Sequence, residues 1–204
     1  MSHNGARFSG HTPPVDRDRS DSPRSKDFPC LTTFPRPETN RSVDRVRALG
    51  RELTEVHHDL RTELRRVRGE FDRYLAGEEV PPTQLRTHCT AFCTALTQHH
   101  TSEDTTAFPV LGNQFPELAP VLAELSADHH LVANILRRLQ QLLAEIGPDN
   151  ADTAKRELDG LAAILESHFQ WEERRLVEAF DALEIAAVTG EQLFGVTVCA
   201  PAED

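Results

Sequence analysis

Long apolar runs are missing from this sequence. No stretch approaches the roughly 20 apolar residues of a membrane-spanning helix, and the amino terminus lacks the apolar core of a signal peptide. Cysteine is also scarce, and Cys30, Cys89, Cys93 and Cys199 follow no zinc-binding or redox spacing. Cys89 and Cys93 lie one helical turn apart and are predicted to be small buried thiols. These absences exclude a membrane protein and a disulfide scaffold, and they predict a soluble cytoplasmic protein.

Basic residues are outnumbered by acidic ones. The chain has 22 lysines and arginines against 33 acidic residues, a net charge of −11. Residues 1–40 carry six basic and five acidic residues, so the remaining 164 residues have a net charge of −12. A domain this acidic repels nucleic acids and anionic membranes. We therefore predict that the protein binds neither.

An apolar period is absent from residues 1–40, which contain six of the 13 prolines. This composition predicts a disordered tail. From residue 41 apolar residues recur at spacings of three and four, which indicates helices. Four helical segments are predicted. The first ends at Gly77, the second starts near Thr83, the third starts near Pro116, and the fourth runs from about Ala151 to Leu183. The prediction is an all-α, antiparallel up-down four-helix bundle over residues 41–185.

The last part of the chain, residues 186–204, has no clear period and is predicted to be a C-terminal tail. A short helical turn near Gln192 to Phe194 is its single candidate element.

Two similar stretches each contain a histidine doublet. They read ELTEVHHDLRTELRRV and ELSADHHLVANILRRL, and the doublets lie 72 residues apart. Residues three and four apart share one face of a helix. By that rule His57 and His129 are in phase with leucines and point into the core. His58 points to water and His130 lies nearer the rim.

A second repeated motif is His-x-x-x-Glu. It occurs as His99 and Glu103 in LTQHHTSED and as His168 and Glu172 in LESHFQWEE. This spacing places an imidazole and a carboxylate on one helical face, about 6 Å apart. The second copy has one histidine, which favours His99 over its neighbour in the first copy. The lone histidine precedes the motif by 42 and 39 residues in the two halves, as an internal duplication predicts.

The two motifs together predict a metal centre. Two glutamates facing each other in an apolar core would repel unless cations lay between them. A single core histidine, or a single His-x-x-x-Glu pair, is commonly an ordinary structural feature, but the two-fold repetition favours two metal ions. Imidazole and carboxylate ligands with open positions suit non-haem iron, and manganese or zinc less specifically. The predicted ligands are His57, His99, Glu103, His129, His168 and Glu172.

At these residues the chain resembles the hemerythrin-like, or HHE cation-binding, family over about residues 42–183. HHTSEDTTAFPVL resembles the signature of the family's second helix, and SHFQWEERRL that of its fourth. The resemblance implies a bundle around two non-haem iron ions with a bridging oxo or hydroxo ligand. Oxygen-carrying members have five histidines, two of them four apart on the third helix, and an aspartate five residues after the last histidine. Here Ala133 follows His129 by four residues, and Glu172 follows His168 by four.

The resemblance leaves several functions open. Bacterial members with four histidines and two glutamates are associated with peroxide removal, with iron or oxygen sensing, and with nitric oxide or stress responses. Four histidines leave open positions on both irons, which favours a catalase-like oxidoreductase acting on hydrogen peroxide or oxygen. The alternative is a sensing or binding protein for iron, oxygen or nitric oxide, with residues 1–40 contacting a partner. A metal buffer, a zinc protein and a biosynthetic oxygenase are further alternatives.

Acidic and aromatic neighbours of the ligands are candidates for a supporting role. Metal-bound histidines usually donate their second ring N–H to a carboxylate or carbonyl group. Asp104, Asp128 and Glu173 are the candidate acceptors. Solvated acids on a helix surface would give the same sequence pattern. Phe169 and Trp171 flank Glu172, where shielding of the centre and ordinary packing are both consistent with the sequence.

Overall fold

A computed structural model describes residues 49–184 and 189–195. Its elements are α1 (Leu49–Leu75), α2 (Pro82–Ser102), a π-helical turn (Glu103–Ala107), α3 (Phe108–Gln114), a 3-10 turn (Pro116–Leu118), α4 (Ala119–Ala144), α5 (Ala151–Asp181) and α6 (Gly190–Phe194). The described residues contain no strand. The predicted tail over residues 1–40, the predicted start of the first helix, and residues 185–188 and 196–204 lie outside the described residues.

The long helices run antiparallel to their neighbours. Arg61 pairs with Glu166, whereas Arg68, two turns further along α1, pairs with Asp159, further back along α5. Contacts between α1 and α2, between α2 and α4, and between α4 and α5 also pair rising residue numbers on one helix with falling numbers on the other, so these pairs are antiparallel too. The all-α, antiparallel four-helix bundle is therefore confirmed. None of the described helices is long and apolar enough to cross a bilayer.

The apolar stripes of the four long helices form one continuous core. Burying a leucine or phenylalanine side chain fully stabilises the fold by about 1.5–3 kcal/mol. Cys89 and Cys93 are free thiols buried in this core, as predicted. A hydrogen bond to Cys93 and burial raise the pKa of Cys89, which therefore remains a protonated, unreactive thiol.

The second helical segment extends further than predicted. The sequence places its end around Pro109 and Gly112, but α2 continues through the π-helical turn into α3 and stops at Gln114. Proline lacks an N–H and clashes with the carbonyl group four residues back, which is disruptive inside an α-helix. Here the wider π-turn precedes Pro109, and the Phe108 N–H donates to the Glu103 carbonyl group. The helix therefore passes the proline without ending.

The candidate turn near the C-terminus is present as α6. The Thr189 side chain accepts a hydrogen bond from the Gln192 N–H, and the Gln192 side chain accepts one from the Thr189 N–H, which is a capping box. Leu193 and Phe194 are fully buried. The ring of Phe194 meets Phe180 of α5 edge-on at 5.2 Å. This segment therefore packs on the bundle.

Two helical glycines provide a matched test of the packing of α1 on α5. A Cβ on Gly50 would lie 2.6 Å from the Val177 carbonyl oxygen, whereas a Cβ on Gly160 meets nothing within 4 Å. We expect Gly50→Ala to destabilise the protein by about 1–3 kcal/mol through overpacking. Gly160→Ala should stabilise it by about 0.5–1 kcal/mol, because alanine favours the helix. Urea denaturation measures both changes, and equal effects would contradict the close approach.

Candidate metal centre

The helical phase of both histidine doublets is as predicted. His57 on α1 is fully buried and His129 on α4 is nearly so. His58 and His130 are exposed. In each doublet the helix turns one imidazole into the core and its neighbour toward water.

Glu103 faces histidines from two different helices. Its Oε1 lies 3.4 Å from Nε2 of His99 on α2, and its Oε2 lies 3.6 Å from Nε2 of His129 on α4. The carboxylate is fully buried where the π-helical turn begins. One carboxylate thus spans the space between the two halves of the predicted duplication.

Glu172 has the corresponding position on α5. Its Oε2 lies 3.5 Å from Nε2 of His57 and 3.5 Å from Nε2 of His168. Glu172 is also fully buried. The structure therefore brings all six predicted residues to one level of the core.

The inward-facing atoms of this cluster lack partners. Among the described residues, all four oxygens of Glu103 and Glu172 and the Nε2 atoms of His129 and His168 make no hydrogen bond. The Nδ1 atoms of these two histidines have only ion-pair contacts, with Asp104 and Asp128. Buried polar atoms are seldom left unpaired. Ligand atoms bound at about 2.1 Å to one ion lie about 3.0–3.5 Å from each other, close to the separations seen here. The donor set and its spacing fit metal ions.

The short distance between the facing nitrogens of His57 and His99 also bears on what occupies the centre. Their Nε2 atoms are 3.1 Å apart. His99 Nδ1 lies 3.1 Å from the Phe194 carbonyl oxygen, which can only accept a hydrogen bond, so Nδ1 of His99 holds the proton. Nε2 of His99 therefore presents a lone pair to Nε2 of His57. Either a hydrogen on Nε2 of His57 or a metal ion therefore lies between them.

The charges of the two glutamates conflict without a metal ion. Burial, and then the charge of Glu172, raise the pKa of Glu103 well above its ordinary value. Burial acts the same way on Glu172, but the close contact with His57 and the charges of the surrounding histidines lower its pKa to about 2. Burial lowers the pKa of His99 to about 3, so this ring is neutral and ready to bind a metal ion. Cations between the carboxylates remove the conflict.

The outer ring nitrogen of His57 is held by an ion-pair network. Nδ1 lies 2.9 Å from Oε1 of Glu173, which also accepts a hydrogen bond of 2.8 Å from Nη1 of Arg61. The Arg61 guanidinium lies over the ring of Phe169, and that ring stacks on His57 with the centroids 4.1 Å apart. These contacts fix the orientation of the His57 ring and aim Nε2 at the centre.

His129 and His168 have acidic neighbours of the same kind. His129 Nδ1 lies 3.1 Å from Oδ1 of Asp104, which also accepts a hydrogen bond of 2.6 Å from the Ser126 hydroxyl group. His168 Nδ1 lies 3.5 Å from Oδ2 of Asp128. All three acids proposed as acceptors, Glu173 included, therefore lie beside a histidine of the cluster.

The contact from α6 to His99 has no signal in the sequence, because the acceptor is a main-chain carbonyl group in a segment without apolar periodicity. Gly195 ends α6 with φ at 69°, and a Cβ there would lie 2.6 Å from the Gln98 carbonyl oxygen. This close approach brings the Phe194 carbonyl group onto the ring of His99.

The two aromatic neighbours of Glu172 differ in position. Phe169 is fully buried against His57, where it keeps water from the centre. Trp171 is half-buried under the guanidinium of Arg175, and it lines a groove of about 580 Å³ between α4 and α5. His168 also lines this groove. The groove therefore reaches a histidine of the cluster.

One inward-facing histidine was missed. His100 is buried, and its ring stacks on His129 with the centroids 4.0 Å apart and the planes 7° apart. The choice of His99 alone from this doublet, made by analogy with the single histidine at 168, left out a second buried imidazole. Five histidines therefore enter this part of the core, one more than the four counted from the sequence. Which of them bind metal stays a prediction.

The ligand atoms fall into two groups, each compact enough to hold a metal ion. One group contains His57, His99, Glu103 and Glu172, and the other contains His100, His129 and His168. Within each group one ligand atom per residue lies within 4.8 Å of the others. Because each glutamate also faces the second group, the two groups form one centre.

The fold and this cluster define a cation-binding helical bundle. The family model for the hemerythrin HHE cation binding domain matches residues 49–185. The chain belongs to this family, as the resemblance implied. No curated protein and no solved structure matches the chain.

Proposed function

We propose that the chain holds two non-haem iron ions and reacts with small oxidants, hydrogen peroxide first among them. The six predicted residues are the proposed ligands, and a solvent-derived oxo or hydroxo group is the proposed bridge. Mixed imidazole and carboxylate donors favour iron over magnesium or calcium, which prefer oxygen alone. When bound, the iron pair supplies redox chemistry and open positions for a small oxidant.

The observation that carries this proposal is the position of the two glutamates. Each buried carboxylate lies 3.4–3.6 Å from histidine nitrogens of both halves of the bundle. A carboxylate that faces two groups of nitrogens is suited to bridging two ions. A mononuclear site would need only one of the two groups.

The other residues of the site prepare it for this chemistry. The outer nitrogens of His57 and His99 lie at hydrogen-bond distance from Glu173 and from the Phe194 carbonyl group. Those of His129 and His168 have ion-pair contacts with Asp104 and Asp128. The inner nitrogens are thereby left free for metal ions. The rings of Phe169 and Phe108 stack on His57 and His129 and cover the cluster. This burial favours a small oxidant over a large organic substrate.

Peroxide turnover by the purified protein tests the proposal. The protein is prepared without chelators, its metal content is measured, and oxygen evolution is followed after hydrogen peroxide is added. Two irons per chain, near-ultraviolet absorption of an oxo-bridged pair and evolved oxygen are expected. Zinc or no bound metal would contradict the whole proposal, and two irons without turnover would contradict the peroxide-consuming activity.

Stable binding of oxygen or nitric oxide without turnover is the second candidate. The observation that favours it is the fifth buried histidine, because an additional nitrogen ligand closes positions at which an oxidant could be activated. A reversible spectral change on exposure to oxygen or nitric oxide, with no oxygen evolved from peroxide, would support this candidate. A partner for residues 1–40 and a cytoplasmic location stay predictions.

Removal of a supporting acid should weaken metal binding without abolishing it. We expect Glu173→Ala and Asp104→Ala each to lower metal affinity about 10–100-fold, because the outer nitrogens of His57 and His129 lose their acceptors. Competition with a chromophoric chelator measures the affinity. Glu166→Ala is the matched control, since Glu166 pairs with Arg61 on the surface of the same network. An equal loss in all three variants would point to general destabilisation instead.

A further inference from the structure

The outer side of α4 carries an exposed leucine at its middle. Leu131 is 50% exposed, and among the described residues Leu75 is the one other large apolar side chain that is exposed. Ile135 lies one turn further along the same side of α4, and it is only partly buried. A single exposed leucine is ordinary on a protein surface. Its surroundings therefore decide whether Leu131 marks a contact surface.

The neighbouring helix α5 is apolar at the same level. Arg138 of α4 pairs with Glu157 of α5, and the two helices run antiparallel. Seven residues back along α4 and seven residues forward along α5 lead from that pair to Leu131 and Ile164. Ile164 is partly buried and lines the surface groove between the two helices. The face that α4 and α5 share is therefore apolar at its centre on both helices.

Charges of opposite sign stand at equal distances from Leu131 along α4. Glu124 precedes Leu131 by seven residues, and Arg138 follows it by seven. A spacing of seven returns to the same side of a helix, so the three residues form one row. Glu124 is exposed, and the Arg138 side chain is 67% exposed although it contacts Glu157. Both charges are available to a partner.

This row is complementary to its own reversed copy. If two α4 helices lie antiparallel about a two-fold axis at Leu131, Glu124 of each copy faces Arg138 of the other, and Ala127 faces Ile135. The contact between unlike charges then occurs twice, as a two-fold interface requires. A parallel pair would instead place Glu124 against Glu124. The order of charges along α4 therefore favours an antiparallel pair of identical helices.

The face is also large enough for a specific interface. The 26 residues of α4 make a helix about 40 Å long, and two adjacent helices are about 20 Å wide. That area is about the 800 Å² per partner that stable protein interfaces bury. The groove of about 580 Å³ lies in this face, and Trp171 and His168 line it.

We propose that a second copy of this chain docks on the α4–α5 face and forms an antiparallel two-fold dimer centred on Leu131. Docking buries Leu131 and Ile164 on the axis. It also covers the groove that reaches His168, and Arg138 of the second copy lies beside Glu124 at the edge of that groove. The dimer does not depend on which metal ions the core holds.

Sedimentation equilibrium of the full chain and of two charge variants tests the dimer and its register. The wild-type chain should be a dimer. Glu124→Arg and Arg138→Glu should each raise the dimer Kd about tenfold or more, because like charges then face each other twice. An equimolar mixture of these two variants should dimerise as tightly as the wild type, since unlike charges meet again. The double variant Glu124→Arg/Arg138→Glu should do so as well.

Matched controls separate the interface from general effects of the substitutions. Arg137→Glu makes the same charge change one residue away from Arg138, at a side chain that contacts its own helix, and it should keep the wild-type Kd. Leu131→Glu should be monomeric, because it places two carboxylates on the axis. Leu75→Glu, at the other exposed leucine, should remain a dimer.

Three results would overturn the proposal. A monomeric wild-type chain would do so, whether the face is open or is covered by residues 1–40. A dimer that is insensitive to Leu131→Glu would place the interface elsewhere. Charge variants that fail to recover in the mixture would contradict the antiparallel register. Loss of the proposed function is distinguishable from all three, because it is measured as the absence of iron.

Discussion

Replacing Glu172 with glutamine is expected to remove both metal ions. Oε2 of Glu172 lies 3.5 Å from a histidine of each half of the bundle, so one change weakens both metal positions. Glutamine has nearly the same volume, and packing is therefore preserved while the anionic bridge is lost. Metal analysis after purification should give less than one ion per chain, against two for the wild type. Glu172→Ala should lose the metal as well and should also be less stable, because it leaves a cavity.

The matched control uses the histidine doublet on α1. His57→Ala should lose metal, since Nε2 of His57 faces both His99 and Glu172. His58→Ala should keep both ions, because His58 is exposed on the opposite face of the same helix. Retention of two ions by Glu172→Gln, or loss of metal from His58→Ala and not from His57→Ala, would contradict the assigned centre.

Removal of the metal is expected to cause a large loss of stability. A ligand that binds only the folded state at about 1,000 times its Kd contributes about 4 kcal/mol. For a domain of this length, that loss lowers Tm by roughly 10 °C. The effect should be strong because the apo core retains two carboxylates and several histidine nitrogens without partners. Differential scanning calorimetry with and without a strong chelator measures the shift.

The double variant Glu103→Gln/Glu172→Gln separates this effect from a general effect of the chelator. Its core no longer holds the two facing carboxyl groups whose charges conflict, and it should bind little metal. Its Tm should therefore be the same with and without the chelator. A chelator-induced shift as large as that of the wild type would show that the stabilising metal lies elsewhere.

Most residues of this cluster could be predicted from helical phase alone. The apolar stripe on α1 identified His57 over His58, and the same rule identified His129 over His130. The repeated His-x-x-x-Glu motif supplied Glu103 and Glu172 because an i,i+4 pair shares a helical face. The phase of an α-helix is a local property, and for that reason the sequence was sufficient for these residues.

The residues that were missed depend on features beyond local phase. Helical phase directs one histidine of the pair at 99 and 100 into the core most simply, but His100 on the same helix is also buried, against His129 and His168 of two other helices. Pro109 marks the irregularity of this helix in the sequence, yet it indicated a helix end and not a π-turn. The contact of α6 with His99 uses a main-chain carbonyl group, whose position depends on how the segment folds back onto the bundle.

The most direct test of the central claim is a crystal structure of the iron-loaded protein with anomalous data collected at the iron edge. The account predicts two anomalous peaks in the bundle core, one beside His57 and His99 and one beside His129 and His168, with Glu103 and Glu172 between them. A single peak, or two peaks outside this cluster, would contradict it.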